Sequence, residues 1–156
     1  MTGLWAVSVF STICMVGIIW FVQIVHYPLM SIVGPQESAT YAALNQRGTT
    51  WVVGPLMLAE AGSTVALAWQ SLPAQVFTPF WLGVVLLVAA WLATATLSVP
   101  QHGILAQGFS PLAHQWLVRT NWIRTVAWTL RGGLVLYTAW CCLVEQAISE
   151  ACAASS

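Results

Sequence analysis

Arginines within an apolar, helix-forming stretch are the first residues of this sequence that could carry chemistry. The chain has four Lys and Arg residues, all of them arginine, and three of these lie between residues 119 and 131. On a helix, Asn121, Arg124, Trp128 and Arg131 form one stripe, because they are three or four residues apart. A cation in an apolar span needs a counter-ion, a polar cavity or a ligand. The stripe therefore predicts a functional face.

Two histidines are the best candidates for proton transfer. His26 lies three residues after Gln23, on one face of the first apolar segment, and His102 follows the third. Histidine titrates near neutral pH and can act as a general base, while an arginine can stabilise an oxyanion such as an enolate or a phenolate. We therefore take His26, His102 and Arg124 as candidate catalytic residues.

Four further residues are candidates for holding a ligand. Gln23 is placed deep in the first segment, where an unsatisfied amide is costly in lipid. Asn121 lies one turn before Arg124, and Trp122 and Trp128 flank that arginine and could stack an aromatic ring. His114 shares no face with these residues and is expected at the surface.

An ion pair is predicted from the similarity between the two halves of the chain. When the chain is aligned with itself at a shift of 71, Trp20, Trp51 and Trp69 fall on other tryptophans, and Glu60 falls on Arg131. Equivalent positions tend to face each other across a bundle, so an ion pair of Glu60 and Arg131 is expected near its centre. Its role is open between fixing how the hairpins dock and taking part in catalysis.

Composition indicates the kind of protein that must position these residues. The 156 residues are 59% hydrophobic and 5% charged, whereas soluble domains carry about 25% charged residues. The net charge is zero and no basic run occurs, so a nucleic-acid partner is not expected. The four cysteines show no metal-binding spacing, and no metal ligands are assigned.

Four segments are long and apolar enough to cross a membrane, a role that takes about 20 residues. They are residues 4–27, 51–70, 80–99 and 118–144. Pro28 and Pro100 are expected to end the first and third helices, because a residue before proline resists helix. Ser110-Pro111 is typical of a helix start. The N-terminal apolar stretch is longer than that of a signal peptide, which indicates an uncleaved first helix.

These segments predict an all-α, polytopic membrane four-helix bundle. Residues 1–148 form one transmembrane domain and 149–156 a short polar tail. The repeat indicates two duplicated helical hairpins, about 4–70 and 80–144, related by an axis along the membrane normal. Arginine collects on the side of the first and third loops, which predicts that this side is cytoplasmic and that both termini lie outside the cytoplasm. The expected location is the bacterial inner membrane, with lipid as the immediate partner and an oligomer or larger complex left open.

The chain also resembles a protein family. The segments HYPLM at 26–30, WVVGPLMLAE at 51–60, VPQHGIL at 99–105 and NWIRTVAWTLRG at 121–132 are similar to those of small, uncharacterised bacterial four-helix membrane proteins. In size and layout the chain is loosely similar to anthrone-oxygenase-like membrane proteins. That likeness implies oxidation of polycyclic aromatic substrates without an evident cofactor. The family pattern has a histidine where this chain has Asn45-Gln46, which weakens a metal interpretation.

Three functions are compatible with these observations. The first is a membrane enzyme or redox protein that acts on a lipophilic, aromatic small molecule. The second, which is not favoured, is binding of haem or a divalent metal through the two histidines, since no helix-phased ligand pair supports it. The third is a non-enzymatic accessory, binding or transport subunit, whose small-residue helix faces allow close packing.

Overall fold

Four long helices make up the fold. The computed structural model describes residues 2–34 and 36–154, and no β-strand occurs in this part of the chain. The helices are α1 (Thr2–Met30), α2 (Ser38–Ala68), α3 (Ala74–Leu105) and α4 (Pro111–Ala154). All four are long and apolar enough to cross a membrane. The prediction of an all-α protein with four such helices is therefore confirmed.

The helices form a ring in which α1 packs against α2 and α4, and α4 also packs against α3. Helices α2 and α3 approach each other mainly through the last segment of α3, Val99–Leu105. Helix α2 therefore lies diagonally across the bundle from α4. Short connections between consecutive helices make neighbours antiparallel, as in other up-and-down bundles.

Three apolar clusters hold the ring together along its length. One surrounds Trp5 and Phe80, whose rings meet edge to face at 6.3 Å. A second contains Met15, Ile19 and Trp128 at the middle. A third, around Tyr27 and Leu117, lies at the other end. Large apolar side chains also cover the outside of the bundle.

The expected helix ends at Pro28 and Pro100 are wrong. Helix α1 continues to Met30, and helix α3 continues to Leu105. A π-helical turn ends two residues before each proline, at Val22–His26 in α1 and at Thr94–Ser98 in α3. Proline removes one backbone donor and crowds the preceding turn. A π-helical turn is wider than an α-helical turn, and it moves the carbonyl groups that have lost their usual N–H donor. The helix therefore continues through the proline.

The start of α4 agrees with the sequence, whereas its extent and that of α2 differ from the expected spans. The Ser110 hydroxyl accepts a hydrogen bond from the Ala113 backbone N–H at 3.3 Å, which confirms a cap at the predicted helix start. Helix α4 then continues through the expected polar tail to Ala154, and residues 155–156 lie outside the described residues. Helix α2 begins at Ser38, well before the expected span at 51–70.

Candidate ligand-binding site

A cavity of about 260 Å³ lies between α1, α2 and α3, and Arg124 is the only residue of α4 that lines it. One part of its wall is apolar and includes Met15, Ile19 and Met57. Another part carries polar side chains. They are His26, Tyr27, Asn45, Gln46, Thr49, Thr50, Thr94, Ser98, His102 and Arg124. The structure thus brings the three candidate catalytic residues to one cavity.

The two histidines of the cavity are held by tyrosines. The His102 Nε2 atom lies 3.2 Å from the Tyr27 hydroxyl, at hydrogen-bond distance. The His26 ring stacks on Tyr41, with centroids 6.2 Å apart and planes 26° apart. The His102 Nδ1 and His26 Nε2 atoms are both buried and have no hydrogen-bond partner among the described residues. Both histidines line the cavity, and each has one ring nitrogen without a partner in the described part of the chain.

Arg124 is a buried cation without a carboxylate partner. Its side chain donates from Nη1 to the Ser98 hydroxyl at 3.0 Å, and its Cζ atom lies 5.5 Å from the centre of the Trp128 ring. The Nε atom is buried and unpartnered, and the residue is 8% exposed. Within residues 2–34 and 36–154, Glu60 and Arg131 form the only ion pair. The charge of Arg124 is therefore uncompensated.

The two π-helical turns help to position these side chains. The turn in α1 ends at His26, and the turn in α3 ends at Ser98, one helical turn before His102. A π-helical turn changes the direction of the side chains that follow it, and such turns occur frequently at functional sites. Tyr27 was not among the sequence-based candidates, although its position four residues after Gln23 places it on the same helix face.

A second polar cluster, the central network, joins all four helices. In it Arg131 Nε donates to Glu60 Oε1 at 2.7 Å. Arg131 also donates to the Gly83 carbonyl and the Thr64 hydroxyl, each at 2.7 Å. The same Glu60 oxygen accepts from the Thr12 hydroxyl at 2.8 Å. The ionic groups are thus surrounded by partners, which is the arrangement that makes a buried pair tolerable.

Gln23 and Asn121 lie against each other and not against the cavity. The Asn121 amide donates to Gln23 Oε1 at 2.8 Å, and Gln23 donates to the Val118 carbonyl at 3.4 Å. Both residues are buried at the interface of α1 and α4. Neither lines the cavity, so these two ligand-binding candidates join helices in this structure.

The two candidate stacking tryptophans also lie apart from the cavity. Trp122 is on the outer surface, where it meets Trp20 edge to face at 5.7 Å. Trp128 is fully buried, and its indole N–H donates to Glu60 Oε2 at 3.1 Å. Trp128 thus lies between Glu60 and Arg124, and it connects the central network to the cavity arginine.

His114 is not the surface residue expected from the sequence. It is half buried, and its Nε2 atom lies 2.7 Å from the backbone carbonyl of Tyr27. The Tyr27 carbonyl lies in the last turn of α1, which ends at Met30, and carbonyls of a last turn have no N–H partner in their own helix. His114 supplies a donor to one of them and joins the start of α4 to the end of α1.

Metal ligands are few around the cavity. Zinc and similar ions take three or four ligands from the protein. Among residues 2–34 and 36–154, no three His, Cys, Asp or Glu side chains come together. The two cavity histidines alone would leave such an ion one or two protein ligands short.

Comparison of the chain with models of protein families, with characterised proteins and with solved structures finds no match. The chemistry of the cavity must therefore be inferred from its own residues.

Proposed function

We propose that this is a membrane protein whose cavity binds a lipophilic aromatic molecule as an oxygen anion and acts on it by proton transfer. The observation that carries the proposal is the set of three buried, unpartnered polar atoms around one partly apolar cavity. They are Arg124 Nε, His102 Nδ1 and His26 Nε2. Buried polar groups are nearly always hydrogen-bonded in proteins, so three exceptions around one cavity support a bound partner.

The charge of Arg124 favours an anion. A cation removed from water is costly unless an opposite charge lies nearby. The described residues that line the cavity include no Asp or Glu. A phenolate, enolate or carboxylate oxygen beside Nε would compensate the charge and accept the free N–H.

The size of the cavity limits the molecule. An apolar cavity of about 150 Å³ holds benzene, so the 260 Å³ here accommodates about ten non-hydrogen atoms by simple scaling. The apolar wall formed by Met15, Ile19 and Met57 suits an aromatic ring.

His102 is the proposed base. Its Nδ1 atom takes the proton of a phenol or an enol, so that the O–H bond breaks and an N–H bond forms. The resulting oxyanion stays beside Arg124. The Tyr27 hydroxyl, at 3.2 Å from Nε2, holds the ring in place. His26 provides a second imidazole, oriented by Tyr41.

The probe 4-nitrophenol tests this proposal, because it has about ten non-hydrogen atoms and its phenolate has a distinct absorption band. In purified protein we expect the bound probe to be the phenolate. Arg124→Met should weaken its binding by about 10- to 100-fold, since a hydrogen bond to a charged group contributes about 1.5–3 kcal/mol. Binding of nitrobenzene, which lacks the acidic oxygen, should change by less than about threefold by the same reasoning.

Arg47→Met is the matched control, because Arg47 is an exposed arginine of α2 outside the cavity lining. It should leave binding of both probes unchanged. If Arg124→Met weakens the binding of 4-nitrophenol and of nitrobenzene equally, the substitution has collapsed the cavity. If it leaves the binding of 4-nitrophenol unchanged, Arg124 holds no anion. Either result contradicts the proposal.

The location of the protein is part of the same proposal. Four apolar helices support insertion in a membrane, and we place it in the bacterial inner membrane. Arg47, Arg119 and Arg124 lie towards the loops at 31–37 and 106–110, which supports a cytoplasmic position for that side and puts both termini on the other.

We also infer that the bundle arose by duplication of a helical hairpin. The π-helical turns at Val22–His26 and Thr94–Ser98 are 72 residues apart, and each is followed by a tyrosine or valine and then a proline. Irregular turns are rare. Their recurrence at equivalent places in α1 and α3 supports two related halves, in addition to the tryptophans that recur at a shift of 71.

A further inference from the structure

We propose that the molecule bound in the cavity comes from the lipid, through a gap between α2 and α3 that has Thr50 and Val99 at its mouth. This inference rests on the proposed function, since it needs a lipophilic ligand. It adds the route by which that ligand arrives and a residue, Gly54, that leaves room for it.

The packing of the bundle is weakest between these two helices. Helices α2 and α3 meet through Val99–Leu105 near one end, and Leu67 and Val76 join one cluster near the other. Between Val99 and that cluster few backbone positions of α2 and α3 approach each other, whereas α1 packs closely along α2 and α4 packs closely along α3. A ligand could pass between α2 and α3 without separating tightly packed helices.

Exposure of the cavity lining identifies the same place. Among the described residues that line the cavity, only Thr50 in α2 and Val99 in α3 are exposed, and Val99 is 51% exposed. The remaining lining residues are buried or half buried. The cavity therefore opens where α2 and α3 face outward.

The surroundings of this mouth are those of a membrane interface. Trp51, the neighbour of Thr50, is 74% exposed, and Arg47 lies one turn before Thr50 on α2. Tryptophan is enriched at the level of the lipid headgroups, and arginine lies at or beyond that level. A weakly acidic aromatic molecule concentrates at this depth, because its ring prefers hydrocarbon and its oxygen prefers water.

Gly54 leaves room for the molecule in the cavity. It lines the cavity one turn deeper than Thr50, and a Cβ atom added there would meet no atom within 4 Å. A larger side chain at this position extends into open space without a clash. Glycine at position 54 thus keeps the cavity long enough for a ring.

Binding kinetics of 4-nitrophenol in phosphatidylglycerol nanodiscs test the route. In the variant Thr50→Trp/Val99→Trp we expect association and dissociation both to slow by about tenfold or more, with a much smaller change in affinity, because a barrier on the path affects both directions. The control is Val52→Trp/Leu92→Trp, on lipid-exposed positions of the same helices outside the lining. Rates equal to those of the control would overturn the proposed route.

Gly54→Phe separates failure of the route from failure of the site. Filling the cavity should abolish binding of the probe, whereas Gly62→Phe should not, since Gly62 is an exposed position of α2 with equally open space. Loss of binding in Gly54→Phe together with unaffected rates in the tryptophan variant refutes only the route. Unaffected binding in Gly54→Phe refutes the proposed cavity site as well.

Spin labels at the mouth distinguish access from lipid and access from water. A nitroxide at Thr50→Cys or Val99→Cys, with the native cysteines replaced by alanine, should collide more often with oxygen, which dissolves in lipid, than with a water-soluble nickel chelate. A label at Arg47→Cys should show the opposite preference. Greater collision with the nickel chelate at both mouth positions would show that the gap faces water, and the lipid route would then be wrong.

Discussion

Replacement of Arg131 by methionine should be among the most destabilising substitutions in this chain. Arg131 donates three hydrogen bonds, each at 2.7 Å, to Glu60, Gly83 and Thr64. Without it Glu60 keeps its bonds to Thr12 and Trp128 but loses its counter-ion. Removal of one partner of a buried ion pair lowers the free energy of unfolding by about 3–5 kcal/mol. We expect a loss of that size for Arg131→Met and for Glu60→Met.

The double variant Glu60→Met/Arg131→Met should be more stable than either single variant. It buries no charge, and the Thr12 hydroxyl can turn to a carbonyl of its own helix. The Trp128 N–H remains without an acceptor, and an unsatisfied buried donor costs about 1–3 kcal/mol. The expected loss for the double variant is therefore about 1–3 kcal/mol, against about 6–10 kcal/mol for the sum of the single losses.

The size of this difference identifies its cause. Neutral hydrogen bonds between membrane helices contribute only about 0.6 kcal/mol on average. A coupling of several kcal/mol between Glu60 and Arg131 must therefore come from their charges. Unfolding in mixed micelles, followed by far-ultraviolet circular dichroism, measures all three variants. A loss in the double variant equal to the sum of the single losses would refute this account.

Arg124→Met is the matched control for Arg131→Met, because the same substitution removes a buried arginine from the same helix. Arg124 donates a hydrogen bond to Ser98, and no carboxylate among the described residues forms an ion pair with it. Its removal relieves an uncompensated buried charge, so we expect a change within about 1 kcal/mol, the net contribution of one hydrogen bond. A loss as large as that of Arg131→Met would contradict the distinction between the two cations.

Two further predictions concern the interface of α1 and α4. Gly132→Ala should be less stable than Gly133→Ala, because the new Cβ would lie 3.1 Å from Val16 Cγ2 and that side chain would have to shift. Gly133→Ala, which meets open space, should be neutral or stabilising by up to about 1 kcal/mol. Gln23→Leu and Asn121→Leu should each cost about 1–3 kcal/mol by leaving an amide unpaired, and the double variant should cost less than their sum in the same unfolding measurement.

Hydropathy and helical spacing were sufficient to predict four helices, because both depend on residue type and chain position alone. The same spacing indicated that His26, His102 and Arg124 belong to one half of the bundle, and the structure places all three around one cavity. A helical stripe shows which face a residue occupies. It does not show what lies opposite, so the position of Trp128 between Glu60 and Arg124 could not be predicted.

The helix ends and the gap between α2 and α3 depend on tertiary packing, which cannot be predicted from the type of a single residue. Local rules predicted that Pro28 ends α1, but the π-helical turn before it offers the backbone an alternative that depends on tertiary packing. The separation of α2 from α3 likewise results from how four helices share their contacts. Tyr27 acquires its role only because α3 brings His102 to within 3.2 Å of it.

The central network has an internal correspondence that leads to a last prediction. Thr12 and Gly83 are 71 residues apart in sequence, as are Glu60 and Arg131. Thr12 donates to Glu60 in one half, and Gly83 accepts from Arg131 in the other. In each proposed hairpin, the first helix thus supplies a hydrogen-bond partner for the charged residue of the second helix. The partner is a donor for Glu60 and an acceptor for Arg131.

If the two halves are equivalent, these four residues can be exchanged between them. Exchange of the charges alone, Glu60→Arg/Arg131→Glu, places a carboxylate beside the Gly83 carbonyl and should destabilise the protein by repulsion. Adding Thr12→Gly/Gly83→Thr returns a hydroxyl donor to the carboxylate and a free carbonyl to the arginine. We expect the four-residue variant to be more stable than the two-residue variant by about 1–3 kcal/mol, the contribution of hydrogen bonds to charged groups, in the same unfolding measurement. Recovery should be partial, since Thr64 and Trp128 stay in their original halves. A four-residue variant no more stable than the two-residue variant would show that the correspondence is a coincidence of spacing.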